Sequence, residues 1–144
     1  MTALFPQLLF DEIVEELKVE EGFRAHCYQD STGNRTIGFG RCIEPGVGLG
    51  ITESEAADLL KNDVMRSVSE CRRWSWFDTI SPARQGVLVE LCFQLGYPKL
   101  SNFNLMLSAL SRGDFDMAAA ELMDSKFARQ VPSRAERLAG KLRG

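Results

Sequence analysis

Apolar residues recur at helical spacing near the start of the chain: Leu9, Ile13 and Leu17, with Val14 beside them. Asp11, Glu12, Glu15, Glu16 and Lys18 fill the positions between. This period predicts an amphipathic helix, and Gly22 is a natural residue to end it. The pattern then changes. His26-Cys27-Tyr28 suits a strand, whose alternation would put His26, Tyr28 and Asp30 on one face. Ser31-Thr32-Gly33-Asn34 is turn chemistry. A second strand is predicted over 35–41, with Thr36, Gly38 and Gly40 pointing one way and Ile37 and Phe39 the other.

Beyond the hairpin the period is helical. Residues 42–51 form a Pro/Gly loop that lacks the lysine and spacing of a phosphate-binding loop. Thr52-x-x-Glu55 reads as a capping box. It opens a helix through about Glu70, with Ala56, Leu59, Leu60, Val64 and Val68 inward. Arg72-Arg73-Trp74-Ser75-Trp76-Phe77 is a basic aromatic cluster, read as a plug between helices. Ser81-Pro82 caps and begins the next helix; its run to Leu95 is apolar almost all round, which predicts a central buried helix ending at Gly96. A helix is predicted over 103–110, another after the cap Asp114, and a last one after Ser133. The fold class expected is α+β, mainly α.

Net charge is -3, so nothing global suggests nucleic acid. The charge is uneven, however. Residues 126–144 carry Lys126, Arg129, Arg134, Arg137, Lys141 and Arg143 against Glu136. A solvated basic helix end is one reading, and contact with an anionic cell envelope is the sharper one. Cys27, Cys42, Cys71 and Cys92 form no C-x-x-C pair, and His26 is the lone histidine, so neither a metal site nor a cofactor is expected. Four reduced, mostly buried thiols are the expectation. Residues 1–10 are too short for a membrane span and lack a basic leader; they read as a lead-in to the first helix.

The chemistry concentrates between Glu20 and Arg41. Glu21 falls at a helix C-terminus beside Glu20, where the negative dipole end and the neighbouring carboxylate favour a protonated carboxyl. Such a group can serve as a general acid. Asp30 ends the first strand and Thr36 begins the second, so the turn brings them together; a carboxylate and a hydroxyl could activate one water. The simpler readings are a solvated glutamate, a turn-capping aspartate and a strand threonine. Taken together the three residues fit a two-carboxylate glycosidase, and Gly38 and Gly40 would leave room for a bulky substrate.

Glu21-Gly22, Tyr28-x-Asp30, Gly33 and Thr36-Ile37-Gly38-x-Gly40 resemble the active-site signature of the phage-type lysozymes, glycoside hydrolase family 24. Phe93-Gln94-Leu95-Gly96 is similar to that family's cleft-lining helix end. Ser125-Lys126-Phe127 and Gln130-x-Pro132-x-Arg134-Ala135-x-Arg137 are similar to its C-terminal segment. The resemblance implies a lysozyme-like fold: one catalytic domain over 1–144, without a separate wall-binding domain, its hairpin lobe and helical lobe joined by a long helix. It implies Glu21 as the acid and Asp30, helped by Thr36, as the group that directs water. It further implies Gln94, Tyr28 and Gly38 at the substrate and Arg134 pairing with Glu21, a pairing that opposes the dipole effect. Arg41 and Arg35 depart from the family pattern, where His and an aromatic are common.

The activity implied is hydrolysis, with inversion, of the β-1,4 bond between N-acetylmuramic acid and N-acetylglucosamine in peptidoglycan. A lytic transglycosylase and a non-catalytic peptidoglycan-binding relative are the alternatives. An endolysin of this kind would be a monomer, made in the host cytoplasm without a signal peptide and acting on periplasmic peptidoglycan after holin-type release.

Overall fold

The computed structural model describes residues 4–144; the first residues of the proposed N-terminal lead-in, 1–3, lie outside them. The chain forms two compact units, one up to Ala56 and one from Ala57 to Gly144. The boundary falls inside a helix.

In the first unit, α1 spans Gln7–Glu21 and ends at Gly22, whose positive φ of 70° lets its N–H return to the Lys18 carbonyl at 3.0 Å. The apolar stripe read from the sequence is present on this helix, yet α1 buries none of its residues. Strands β1 (Arg24–Gln29), β2 (Arg35–Gly38) and β3 (Arg41–Cys42) form an antiparallel sheet in that order. Two features differ from the predicted hairpin. The second strand is not continuous over 35–41: it breaks at Phe39-Gly40 and turns back, so Thr36 sits on a central strand between Tyr28 and Cys42. The first strand carries a bulge between Arg24 and Tyr28, which breaks the alternation expected to align His26 with Tyr28.

Two ion pairs fasten the sheet to the loop and the helix that follow. Arg35 holds Glu44 at 2.9 Å, and Arg41 holds Glu55 at 2.8 Å while also donating to the Gly50 carbonyl. These are the two positions that depart from the family pattern. Glu55 is pulled down to about 2, chiefly by Arg41 and then by the Thr52 N–H and hydroxyl. The Thr52–Glu55 capping box forms in both directions, at 2.9 and 3.1 Å.

The second unit is helical and holds the apolar core. Helix α2 (Glu53–Cys71) crosses the unit boundary and buries Ser67 and Cys71 at its far end; Leu59, Leu60 and Val64, expected inward, are exposed. Helix α3 (Pro82–Leu95) is the central helix its composition predicts, with Val87, Leu88, Leu91 and Cys92 buried. Ser81 accepts from the Arg84 N–H, and Gly96 ends the helix. Short α4 (Tyr97–Leu100) leads to α5 (Asn104–Ser111), α6 (Phe115–Met123), α7 (Lys126–Gln130) and α8 (Pro132–Arg143). Asp114 caps α6 as expected. The last helix starts earlier than Ser133 suggests, because Pro132 occupies its first turn, where a missing N–H costs nothing. Helix α8 packs on α3, α6 and α7, burying Ala135, Leu138, Ala139 and Leu142. Trp74 and Trp76 stack at 5.7 Å and pack against the core, so the basic aromatic cluster does plug a helix junction. The result is the α+β, mainly α, lysozyme-like architecture expected. Among the described residues no helix is long and apolar enough to cross a membrane.

Candidate active site

Glu21 is the last residue of α1. Its carboxylate lies against the turn between β2 and β3. A methyl group built on Gly40 would stand 2.7 Å from Glu21 Oε2 and 3.1 Å from Cδ. Gly40 also has a φ of 80°, so two independent reasons require glycine there. The sequence marked Gly40 only as part of an open strand face. Its role as the seat of the Glu21 side chain comes from the break in the strand.

Asp30 sits at the mouth of the β1–β2 turn. Its Oδ1 accepts from the Thr32 hydroxyl at 2.6 Å, the Thr32 N–H at 2.9 Å and the Asn34 N–H at 2.9 Å. No hydrogen bond among the described residues reaches Oδ2. These donors, the Thr32 hydroxyl first, hold the Asp30 carboxyl below its ordinary value. Asp30 therefore caps the turn and carries a free, ionised oxygen at once. The simpler reading and the functional one are compatible.

Thr36 is 3 % exposed, and its hydroxyl donates to the Asn34 carbonyl at 3.1 Å. The Asp30 N–H donates to the same carbonyl at 2.9 Å. Asn34 is thus the hub that ties Asp30 to Thr36. Sequence reading gave it only a turn role, though its position between a strand-ending aspartate and a strand-opening threonine was the available signal. Tyr28 is half-buried beside Thr36, with the Arg24 guanidinium 4.7 Å over its ring. Gly38 has a φ of 71°, and a Cβ there would meet nothing within 4 Å, so the space above it is open.

Gln94 and Arg134 belong to the second unit. Gln94 lies in the last turn of α3, and Arg134 lies in the first turn of α8, where its guanidinium donates to Gln94 Oε1. With Phe93, Val89, Leu60 and Val64 they line a concavity of about 320 Å³, and the Arg137–Glu90 ion pair at 3.1 Å closes one side. The structure brings these two predicted residues together and, separately, groups Asp30 with Thr36 and Glu21 with Gly40. Cys27, expected among the buried thiols, is exposed because it lies in the bulged strand, whereas Cys71 and Cys92 are buried.

Removing the shortest of the Asp30 contacts gives a direct test of how that oxygen is kept charged. In Thr32→Ala the Asp30 titration should move up toward the ordinary 3.8, measured by carboxyl NMR. A depressed carboxyl favours the folded state above its unfolded value and loses that contribution as pH falls below it. The variant should therefore depend less on acid for its unfolding, and any activity needing ionised Asp30 should fail at a higher pH. An unmoved titration would show that the backbone N–H groups alone suffice.

The family model described as phage lysozyme matches residues 18–140. Among curated relatives, the pre-baseplate central spike protein Gp5 of Enterobacteria phage T4 is 28 % identical over 88 % of this chain. This chain spans 26 % of that longer protein. Probable T4-type lysozyme 2 of Dictyostelium discoideum is 26 % identical, covering 90 % of this chain and 92 % of the relative. Probable T4-type lysozyme 1 of the same organism is 24 % identical with the same coverage.

Proposed function

We propose, from the premise that this chain belongs to the phage lysozyme family, that it hydrolyses the β-1,4 bond between N-acetylmuramic acid and N-acetylglucosamine in bacterial peptidoglycan. The observation that carries the reading is the pairing of unlike carboxyl environments on one small sheet unit. Asp30 is held charged by three donors on one oxygen, with the other oxygen free. The Glu21 carboxyl ends α1 and lies close over Gly40, on the same unit. Two carboxyl groups in different environments are what acid and base roles require.

In the reaction, Glu21 gives its proton to the glycosidic oxygen as the bond to the anomeric carbon breaks. Asp30 Oδ2 accepts a proton from water as the water oxygen attacks. The Thr36 hydroxyl spends its own proton on the Asn34 carbonyl. Toward water it can offer only a lone pair, the polarity that leaves the water's own lone pair aimed at the sugar. Gln94 and Tyr28 contact the glycan, Gly38 leaves room for it, and Arg134, which donates to Gln94, supports the site. We assign inversion, which requires room for water between the carboxyl groups, roughly 6.5–9.5 Å.

The biological setting follows from the same reading. A single-domain endolysin made in the host cytoplasm would reach periplasmic peptidoglycan after holin-type release, act as a monomer and lyse the cell. Contact of the basic C-terminal segment with an anionic envelope would rest on Lys126 and Arg129 of α7 and on Lys141 and Arg143 of α8, because Arg134 and Arg137 are already engaged by Gln94 and Glu90.

Product analysis tests the reaction. Digestion of purified peptidoglycan should release fragments with reducing N-acetylmuramic acid ends, and the first-formed anomer should be α by NMR. An anhydro sugar would replace this reading with a transglycosylase. Binding to the polymer without any release would replace it with a carbohydrate-binding role.

A further inference from the structure

Phe93 is 49 % exposed and lines two concavities of the helical unit. One is the concavity that holds Gln94 and Arg134. The other, of about 340 Å³, takes no part in the reaction proposed above. Helix α2 turns a different face to each. Leu60 and Val64 line the first, whereas Asp63, Arg66, Ser67 and Glu70 line the second. Phe93 and Tyr97 complete the second cavity from the end of α3 and the start of α4. The backbone between these two aromatics leaves the space open: a Cβ built on Gly96 would meet only the Pro98 ring, at 3.8 Å.

The cavity reaches a buried hydroxyl, because Ser67 is 4 % exposed. Tyr97 is held by two neighbours, the Arg73 guanidinium 4.8 Å from its ring centroid and the Trp74 ring at 5.2 Å. Trp74 stacks in turn on Trp76. A side chain fixed in this way loses little freedom when a ligand binds. Charge narrows the ligand class. Glu70 lies 3.9 Å from Arg66, and Asp63 has no ion pair among the described residues, so the lining holds one surplus carboxylate. That carboxylate works against an anion, and the exposed Arg66 guanidinium works against a cation. An uncharged ligand with one apolar face and several hydroxyls satisfies both. A pyranose has that form. Its C–H face packs on an aromatic ring, whose face is negative. Its hydroxyls donate to the Asp63 and Glu70 carboxylates and accept from Arg66, Ser67 and Tyr97. The volume lies within the ~300–1,000 Å³ of small-ligand sites.

We propose that this cavity binds one uncharged sugar residue, so that a glycan strand crosses Phe93 from Gln94 to Tyr97. The path of the strand rests on the glycan reading of the Gln94 concavity, whereas sugar recognition inside the cavity does not. The test is therefore a binding experiment in the Glu21→Gln protein, in which no bond need be cut. In an NMR titration, an N-acetylglucosamine tetramer should shift the backbone amides of Ser67, Glu70, Gly96 and Tyr97. Asp63→Ala in that background should weaken the binding about tenfold, the scale of one hydrogen bond to a charged group. Tyr97→Phe keeps the ring and its stacking, and should weaken binding about threefold through the lost hydroxyl. Failure of the hydrolase reading would leave these results unchanged. Amides that stay still at the four positions while those around Gln94 move would overturn the proposal and leave the Gln94 groove standing. Amides that respond to a free peptidoglycan stem peptide and not to the tetramer would overturn it in favour of a peptide site.

Discussion

Glu21→Gln is expected to lower turnover on purified peptidoglycan by about 10²–10⁴-fold, the range a positioned general acid contributes. The substitution keeps the length and shape of the side chain, so the seat at Gly40 stays filled. What it removes is the proton. Glu21 is exposed and glutamine fits the same space, so the fold has little to lose. The melting temperature should therefore hold while activity is lost. That contrast distinguishes a chemical defect from a folding one. Near-normal release of reducing ends by the variant would remove Glu21 from the mechanism and leave the resemblance without its acid.

The second large effect is expected at a residue with no functional group. Gly40→Ala adds a methyl where Glu21 Oε2 stands 2.7 Å away. The obstructing atom is the end of a flexible side chain, so the carboxyl swings aside and the fold survives. Displacement of a catalytic group by about 1 Å can cost on the order of 10²-fold in rate. The positive φ adds a backbone penalty of roughly 1–2 kcal/mol. Gly46→Ala separates the two contributions. Gly46 has a similar φ of 75° but nothing within 4 Å of a built Cβ. It should show the loss of stability, read as a lower melting temperature, with kcat unchanged. Gly40→Ala should show that loss together with a fall in kcat. Equal kcat in the two variants would mean that Gly40 is needed only for its turn.

Asp30 and Thr36 bring a different kind of dependence, because their link is a single backbone carbonyl. The Asp30 N–H and the Thr36 hydroxyl both donate to Asn34 O. A side-chain substitution at Asn34 leaves that carbonyl in place. The turn therefore depends on its backbone path more than on any one side chain, and Thr32 is the side chain through which the charge of Asp30 can be tuned.

Much of this molecule was legible along the chain. The capping box at Thr52 and Glu55, the Ser81-Pro82 start, the Asp114 cap and the stops at Gly22 and Gly96 all stand where the sequence places them. Each depends on hydrogen bonds between residues a few positions apart, so the sequence neighbourhood contains the whole interaction. The buried character of α3 was readable for a related reason: burial on every side leaves few polar positions. The three chemical residues were named from local context and family resemblance. Their support was not. The strand break at Gly40, the bulge before Tyr28 and the hub at Asn34 became visible only in three dimensions. Each brings together groups whose approach is set by backbone direction and packing, which residue type alone does not specify.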